Sequence, residues 1–169
     1  MPRELLLMRH GKSDWYEPLP DFERPITDRG KRGAQRIGVW LLGESLEPDH
    51  VVSSPAERAL VTAQKAIKAM GRSAAGIVRE RRVYDASLGQ LLAVLAEVPA
   101  AAGRVLLVGH NPGLEELLEY LSRQRMETPA NGKLMPTAAL ARIDFAVDHW
   151  MDIDDGDGKL TWVQLPRDL

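Results

Sequence analysis

The chain has 169 residues, which is about the size of one folded domain. Lys and Arg number 22 and Asp and Glu number 24, and this near balance argues against a protein that binds nucleic acid through a basic surface. The absence of cysteine excludes disulfides, thiol nucleophiles and cysteine-ligated zinc. We expect a single domain that spans residues 1–169.

No segment has the features of a membrane protein. The longest apolar runs, residues 5–8 and 105–108, are far too short to span a bilayer. The opening segment lacks the long apolar core and the small-residue cleavage site of a signal peptide. We therefore expect a cytoplasmic protein with no membrane partner and favour a monomer.

In the first third of the chain, short apolar runs alternate with helical periodicity. Residues 4–9 predict a strand buried on both faces. The Pro, Asp and Glu residues in 15–25 are typical of an ordered surface loop. Thr27 is a suitable N-cap for a helix that runs to about Leu42, and residues 49–53 predict the next strand.

A second helix has clear start and stop signals. Ser54 and Glu57 have the spacing of a capping box, Pro55 would occupy the first helical position, and Gly71 would end the helix. Residues 77–83 then predict a third strand.

The remaining elements continue the alternation. A helix starts near Ser87, and residues 104–109 form another buried strand. Asn111 is a candidate N-cap for the following leucine-rich helix. Alternating apolar residues in 143–147 and 161–165 predict a closing antiparallel hairpin.

The repeated order of strand and helix predicts an α/β sandwich, with helices on both faces of a mainly parallel sheet. Ligands of such folds bind outside the carboxyl ends of the strands. The residues that follow each strand are therefore the place to search for a site.

Two buried strands are each followed by a histidine, and a third by a serine cluster and an arginine. If these strands are neighbours, Arg9, His10, Arg58 and His110 converge at one edge of the sheet. Guanidinium groups, imidazoles and a helix N-terminus together suit the binding of phosphate.

These residue types can also perform phosphoryl transfer. A neutral imidazole can attack phosphorus, and the arginines can neutralise the charge that develops on the phosphate oxygens. No metal or cofactor is required. Taken singly, a histidine after an apolar run is more often a capped or partly buried residue, and Arg58 could be a solvated charge on a helix. The residues alone leave both interpretations open.

Three motifs, in this order along the chain, resemble those of the histidine phosphatase superfamily. They are Met8-Arg9-His10-Gly11, Ser53-Ser54-Pro55 followed by Arg58-Ala59 and Thr62-Ala63, and Val108-Gly109-His110-Asn111-Pro112. Within the superfamily the chain is similar to the SixA-type phosphohistidine phosphatases, because it also has Arg24-Pro25-Ile26-Thr27 and Arg29-Gly30 and is equally small.

The resemblance implies a three-layer α/β/α sandwich of the phosphoglycerate mutase-like type, without a large lid insertion. It implies that His10 is the nucleophile, which becomes transiently phosphorylated. Arg9, Arg58 and His110 would form the phosphate pocket, with Asn111 as a further phosphate-binding residue.

The proton donor is less well defined by the resemblance. Asp85 is the acidic residue nearest to the position that many superfamily members use, whereas the SixA-type pattern offers Asp21. Either could instead be a surface carboxylate. A phosphorylated imidazole is a better leaving group than a sugar alkoxide and needs less proton transfer, so an ill-defined acid favours cleavage of a P–N bond.

The resemblance and the short gaps between motifs favour a phosphorylated protein as substrate. We expect hydrolysis of phosphohistidine, for example on a histidine phosphotransfer domain in signal transduction. The alternatives are a small-molecule phosphomonoesterase or mutase of the same superfamily, and a non-catalytic module that binds phosphoproteins.

An acidic segment near the end of the chain suggests a calcium loop at first sight. Asp152, Asp154, Asp155 and Asp157 do not fit the EF-hand spacing, however, and Val163 stands where the bidentate acid is required. We interpret the segment as an acidic turn and expect no metal site.

Overall fold

The computed structural model describes residues 2–123 and 135–169. The strands in these ranges are β1 (Arg3–Arg9), β2 (His50–Ser53), β3 (Val78–Arg79), β4 (Arg104–Gly109), β5 (Leu140–Phe145) and β6 (Gly158–Gln164). The α-helices are α1 (Asp28–Gly43), α2 (Glu57–Ala69), α3 (Leu88–Ala96) and α4 (Gly113–Ser122).

The strands form one mixed sheet in the order β3-β2-β4-β1-β5-β6. The four strands from β3 to β1 are parallel, and Leu5 of β1 is paired with Val105 of β4. β5 runs antiparallel to both β1 and β6. The expectation of a mainly parallel sheet closed by an antiparallel hairpin is confirmed.

Helices cover both faces of the sheet because side chains of the central strands alternate between two buried clusters. Leu5 and Leu7 of β1 pack with α3 and α4, whereas Leu6 and Met8 pack with α1 and α2. Such strands must be apolar on both faces, which explains the uninterrupted runs in the sequence. The three-layer α/β/α sandwich is confirmed, and the described residues contain no large insertion.

Most of the predicted helix boundaries are also correct. The Thr27 hydroxyl accepts a hydrogen bond from the Gly30 N–H at the start of α1. Ser87 and Gln90 form a capping box at the start of α3. α2 is followed by Gly71, whose φ of 76° is the left-handed conformation that commonly ends a helix.

The predicted third strand, residues 77–83, is wrong for most of its length. Only Val78 and Arg79 pair with β2, and Arg81–Val83 form a 3-10 helix. The Glu80 side chain accepts a hydrogen bond from the Arg82 N–H, and this cap starts the 3-10 helix in place of further strand.

Two predicted helix caps are wrong because the side chains bond elsewhere. α2 has Ala56 as its N-cap residue, and Ser54 hydrogen-bonds the Ala56 N–H and the His110 ring. α4 has Pro112 as its N-cap residue, while the Asn111 amide donates to Glu115. Both polar side chains belong to the edge of the sheet where His10 and His110 lie.

The acidic segment lies in the connection between β5 and β6, as expected. Its Asp154 accepts a hydrogen bond from Tyr120, and its Asp155 forms an ion pair with Arg123. In residues 2–123 and 135–169, no cluster of acidic or histidine side chains is arranged to hold a metal ion. No helix in the same ranges has the length and apolar character needed to cross a membrane.

Candidate active site

The sheet order brings the predicted residues to one edge. β4 lies between β1 and β2, so the segments that follow these three strands are neighbours. The His10 N–H donates to Gly109 O at 3.1 Å, and the Ser54 N–H donates to Val108 O at 3.0 Å. The rings of His10 and His110 consequently lie with their centroids 5.1 Å apart.

His10 has a fixed ring orientation and an unprotonated nitrogen. Its Nδ1 lies 2.7 Å from Gly11 O, and because a carbonyl only accepts, Nδ1 must carry the proton. Burial lowers the pKa of His10 to about 4, and the positive charges of Arg58, Arg9 and Arg24 act in the same direction. At neutral pH the ring is uncharged and Nε2 holds a free lone pair, the form that a nucleophile requires.

A hydrogen bond to α2 holds the backbone beside His10. The Gly11 N–H donates to the Thr62 hydroxyl at 2.8 Å, and that hydroxyl donates in turn to Arg58 O at 2.7 Å. Thr62 is fully buried on α2. The segment after β1, which carries His10, is thereby fixed to the helix that carries Arg58.

His110 is the second imidazole of the site. Its Nε2 is 2.8 Å from the Ser54 hydroxyl, and the Tyr84 ring meets its ring edge-on with centroids 5.5 Å apart. Burial lowers the pKa of His110 to about 3, with further contributions from the proximity of His10 and Arg58. A neutral His110 can donate one hydrogen bond to a phosphate oxygen without adding net charge.

Arg58 projects from the first turn of α2 and contacts Asp21. Its Nη1 donates to Asp21 O at 2.6 Å and its Nη2 to Asp21 Oδ2 at 3.0 Å. The Tyr84 hydroxyl donates to the same carboxylate oxygen at 2.6 Å. The hydrogen bond from Tyr84, together with Arg58, lowers the pKa of Asp21, so this carboxyl group is ionised at neutral pH.

Arg9 and Asn111 share one acceptor on the opposite side of the site. Arg9 Nη1 and Asn111 Nδ2 both donate to Met135 O, at 3.1 Å and 3.0 Å. Asn111 Nδ2 also donates to Glu115. Burial lowers the pKa of Arg9, but an arginine remains charged at physiological pH. These contacts fix both side chains beside the two histidines.

Arg24 is a site residue that the motif argument did not assign. It is buried, its Nη2 forms an ion pair with Asp21 Oδ1 at 2.9 Å, and its guanidinium group stacks on the Trp15 ring at 3.1 Å from the ring centroid. A buried arginine in a polar loop needs anionic partners, which is the physical signal for such a role. Tyr84 was also missed, because a lone tyrosine in a turn has no distinguishing pattern.

Asp85, the alternative acid, makes none of these contacts through its side chain in the described part of the chain. It is exposed, and its φ of 50° places it in the left-handed region. No hydrogen bond or ion pair in the described part of the chain joins it to the two histidines or to Arg58.

Both histidines and several arginines of the site line a cavity of about 830 Å³. Its lining includes Arg9, His10, Arg24, Arg58, His110 and Asn111. Arg9 Nε, Arg24 Nε and Nη1, Arg58 Nε and His110 Nδ1 are buried and have no protein partner within residues 2–123 and 135–169. The residues that carry these nitrogens line the cavity, and guanidinium and imidazole groups are suited to a multivalent anion.

The chain belongs to the histidine phosphatase superfamily (branch 1), whose sequence profile matches residues 5–92. An uncharacterized protein of Mycobacterium tuberculosis (strain CDC 1551 / Oshkosh) is 31% identical over 165 residues, which cover 95% of this chain and 100% of that protein. Superfamily membership supports phosphatase activity.

Solved structures of SixA proteins share the fold over nearly the whole chain. The SixA of Agrobacterium tumefaciens is 28% identical with a TM-score of 0.81, and the match covers 98% of this chain and 99% of that one. The SixA of Nakamurella multipartitia is 30% identical with a TM-score of 0.79, covering 98% and 97% of the two chains. By contrast, a 2,3-bisphosphoglycerate-dependent phosphoglycerate mutase of Clavibacter michiganensis is matched over 53% of this chain and 37% of its own length, at 35% identity.

Proposed function

We propose that this protein hydrolyses phosphohistidine on other proteins through a covalent phosphohistidine intermediate on His10. The observation that carries the proposal is the hydrogen bond from His10 Nδ1 to Gly11 O at 2.7 Å. It leaves an unprotonated Nε2 beside guanidinium groups that can hold a phosphoryl group. A site that only binds a phosphoprotein has no need of a nucleophile held in this form.

In the first step, the lone pair of His10 Nε2 attacks phosphorus and forms a P–N bond. The bond between phosphorus and the substrate imidazole breaks, and its electron pair remains on the substrate nitrogen, which takes up one proton. Arg9 and Arg58 stabilise the charge on the phosphoryl oxygens as the transition state forms. His110 donates a hydrogen bond to one of the same oxygens.

Asp21 is the proposed source of that proton. The resting Asp21 carboxylate has a lowered pKa and carries no proton. An approaching phosphoryl dianion raises that pKa, so that Asp21 takes up a proton from solvent as the substrate binds and passes it to the leaving imidazole. The assignment is supported by the contact of Asp21 with Arg58, which lines the cavity, although Asp21 itself does not. Among the described residues, Asp85 has no hydrogen bond or ion pair to Arg58. An imidazole leaving group needs little proton transfer, so this weak acid suffices.

In the second step, a water molecule attacks phosphorus on the opposite face from His10 Nε2. The P–N bond breaks, its electron pair returns to Nε2, and inorganic phosphate leaves. The Asp21 carboxylate, which lost its proton in the first step, accepts a proton from the attacking water. When phosphate leaves, the pKa of Asp21 falls again and its proton returns to solvent, which restores the resting enzyme without a metal or another cofactor.

The similarity to SixA proteins over the whole chain favours a phosphoprotein over a sugar phosphate. The mutase match covers 37% of the mutase, so it gives little support to the alternative of a small-molecule phosphomonoesterase or mutase. A histidine phosphotransfer domain is the proposed kind of partner.

The test is a substrate panel assayed at one enzyme concentration. It contains a histidine-phosphorylated phosphotransfer protein, a phosphoserine peptide and 3-phosphoglycerate, with His10→Ala as the control enzyme. We expect release of phosphate from the phosphohistidine protein to be at least tenfold faster than from the other two. Efficient cleavage of 3-phosphoglycerate with intact phosphohistidine protein would contradict the proposal.

A further inference from the structure

A row of exposed cations extends the catalytic cavity along α1 and the end of the chain. The cavity lining continues beyond the two histidines to Lys12, Arg29, Arg32, Arg36 and Arg167, which we call the basic groove. The whole chain has a net charge of −2, yet no Asp or Glu of the described ranges lines this cavity. The positive charge is therefore concentrated on one surface of an otherwise acidic protein.

Local packing brings the groove residues together. Arg29, Arg32 and Arg36 follow one another by three and four residues, so they lie on one face of α1. Thr27 is the N-cap of α1, and both its N–H and its hydroxyl donate hydrogen bonds to Lys12 O. These bonds place Lys12 beside the start of the helix.

The end of the chain closes the other side of the groove. The segment Pro166–Asp168 lies directly against α1 at Gly33. The space beside this glycine is so narrow that a Cβ atom added to it would be only 3.6 Å from the Pro166 side chain. Arg167 therefore lies beside the arginine face of α1.

This arrangement is unfavourable for the helix itself. Like charges three or four residues apart repel each other, and Arg29 stands in the first turn, where the helix dipole disfavours a cation. Among the residues that the structure describes, Arg29, Arg32, Arg36 and Arg167 form no ion pair, although Lys31 on the same helix pairs with Asp28. A local arrangement that costs stability is expected where function requires it.

We propose that the basic groove docks an acidic segment of the phosphoprotein substrate, next to the phosphohistidine that enters the catalytic cavity. The proposal rests on the proposed function and adds the feature by which the substrate is selected. Charge complementarity identifies the partner as acidic. An exposed aromatic residue of the cavity lining favours a protein over a free anion, because Trp15 is 74% exposed.

The test compares two synthetic phosphohistidine peptides that differ only in their flanks. One carries three glutamates beside the phosphohistidine and the other carries three glutamines. For the wild-type protein at low ionic strength we expect kcat/KM to be about tenfold higher for the acidic peptide, mainly through a lower KM, and the preference to shrink as salt is added.

The variant Arg32→Glu/Arg36→Glu is expected to lose this preference, so that kcat/KM for the acidic peptide falls to that for the neutral peptide or below. Lys65→Glu/Lys68→Glu is the matched control: it reverses two cations on α2 that do not line the cavity, and it should keep the wild-type preference. Thermal unfolding of both variants verifies that each is folded.

The possible outcomes separate the two proposals. If the wild-type protein hydrolyses neither peptide, the proposed function is wrong. If it hydrolyses both equally well, or if the arginine variant keeps the preference, the docking proposal is wrong.

A third arm of the experiment tests whether the basic groove instead binds a small anion. The docking proposal is also overturned if pyrophosphate inhibits the wild-type protein far more strongly than inorganic phosphate and the arginine variant loses that difference.

Discussion

Acidification is expected to destabilise the folded protein through His10. The pKa of His10 is lowered from 6.5 to about 4 by burial, so between these values the unfolded chain binds a proton that the folded protein does not. The contribution of His10 to the free energy of unfolding is therefore fully present above its ordinary pKa of 6.5. It is lost as the pH falls toward the pKa of about 4 that His10 has in the folded protein. At about pH 5, some 1.5 units below the ordinary pKa, the loss through this one group is about 2 kcal/mol.

The measurement is urea unfolding at about pH 7 and pH 5, for wild type and for His10→Gln. Phosphate and sulfate are left out of the buffers because a bound anion stabilises the folded state. The drop in the free energy of unfolding between the two pH values should be about 2 kcal/mol smaller in His10→Gln than in wild type. His149→Gln, which changes an exposed histidine, is the matched control and should keep the wild-type drop. Equal drops in wild type and His10→Gln would refute the reasoning.

Three substitutions test other parts of the site. Arg58→Ala should lower kcat/KM for a phosphohistidine peptide by about 100-fold or more, because the charge on the phosphoryl oxygens loses its partner; a change below about threefold would argue against the pocket. Asp21→Asn should slow hydrolysis of an alkyl phosphate more than that of phosphohistidine, because an alkoxide leaving group needs the proton more. Asp85→Asn is the control; if it, and not Asp21→Asn, shows this difference in steady-state rates, Asp85 is the proton donor. Thr62→Val removes the acceptor of the Gly11 N–H and should lower the free energy of unfolding in urea by about 1–3 kcal/mol, whereas Thr62→Ser should not.

The sequence predicts the sheet and the position of His10 at its edge well because their signals are local. The apolar runs around Leu5 and Val105 predict strands buried on both faces, and each is followed by its histidine within a few residues. Parallel strands end at the same edge of a sheet, so the sequence predicts that His10 and His110 share one edge. Their close approach also requires β1 and β4 to be neighbours, and the structure supplies this part.

The errors in the prediction arise where a side chain has a distant partner. Ser54 and Asn111 have the right chemistry for helix caps, but Ser54 bonds to the His110 ring and Asn111 to Met135 and Glu115. Arg24 joins the site from a loop through an ion pair with Asp21. Sequence spacing does not encode contacts of this kind, because they depend on how loops fold across the finished sheet.

The central claim is that neutral His10, held by Gly11 and surrounded by arginines, becomes phosphorylated during turnover. It is tested most directly by rapid quenching of the wild-type protein with a radiolabelled phosphohistidine substrate, followed by peptide mapping. We expect an acid-labile, alkali-stable phosphoryl group on His10 that turns over at the rate of phosphate release and is absent from His10→Ala. Phosphate release without a labelled intermediate, or a label on His110, would contradict the account.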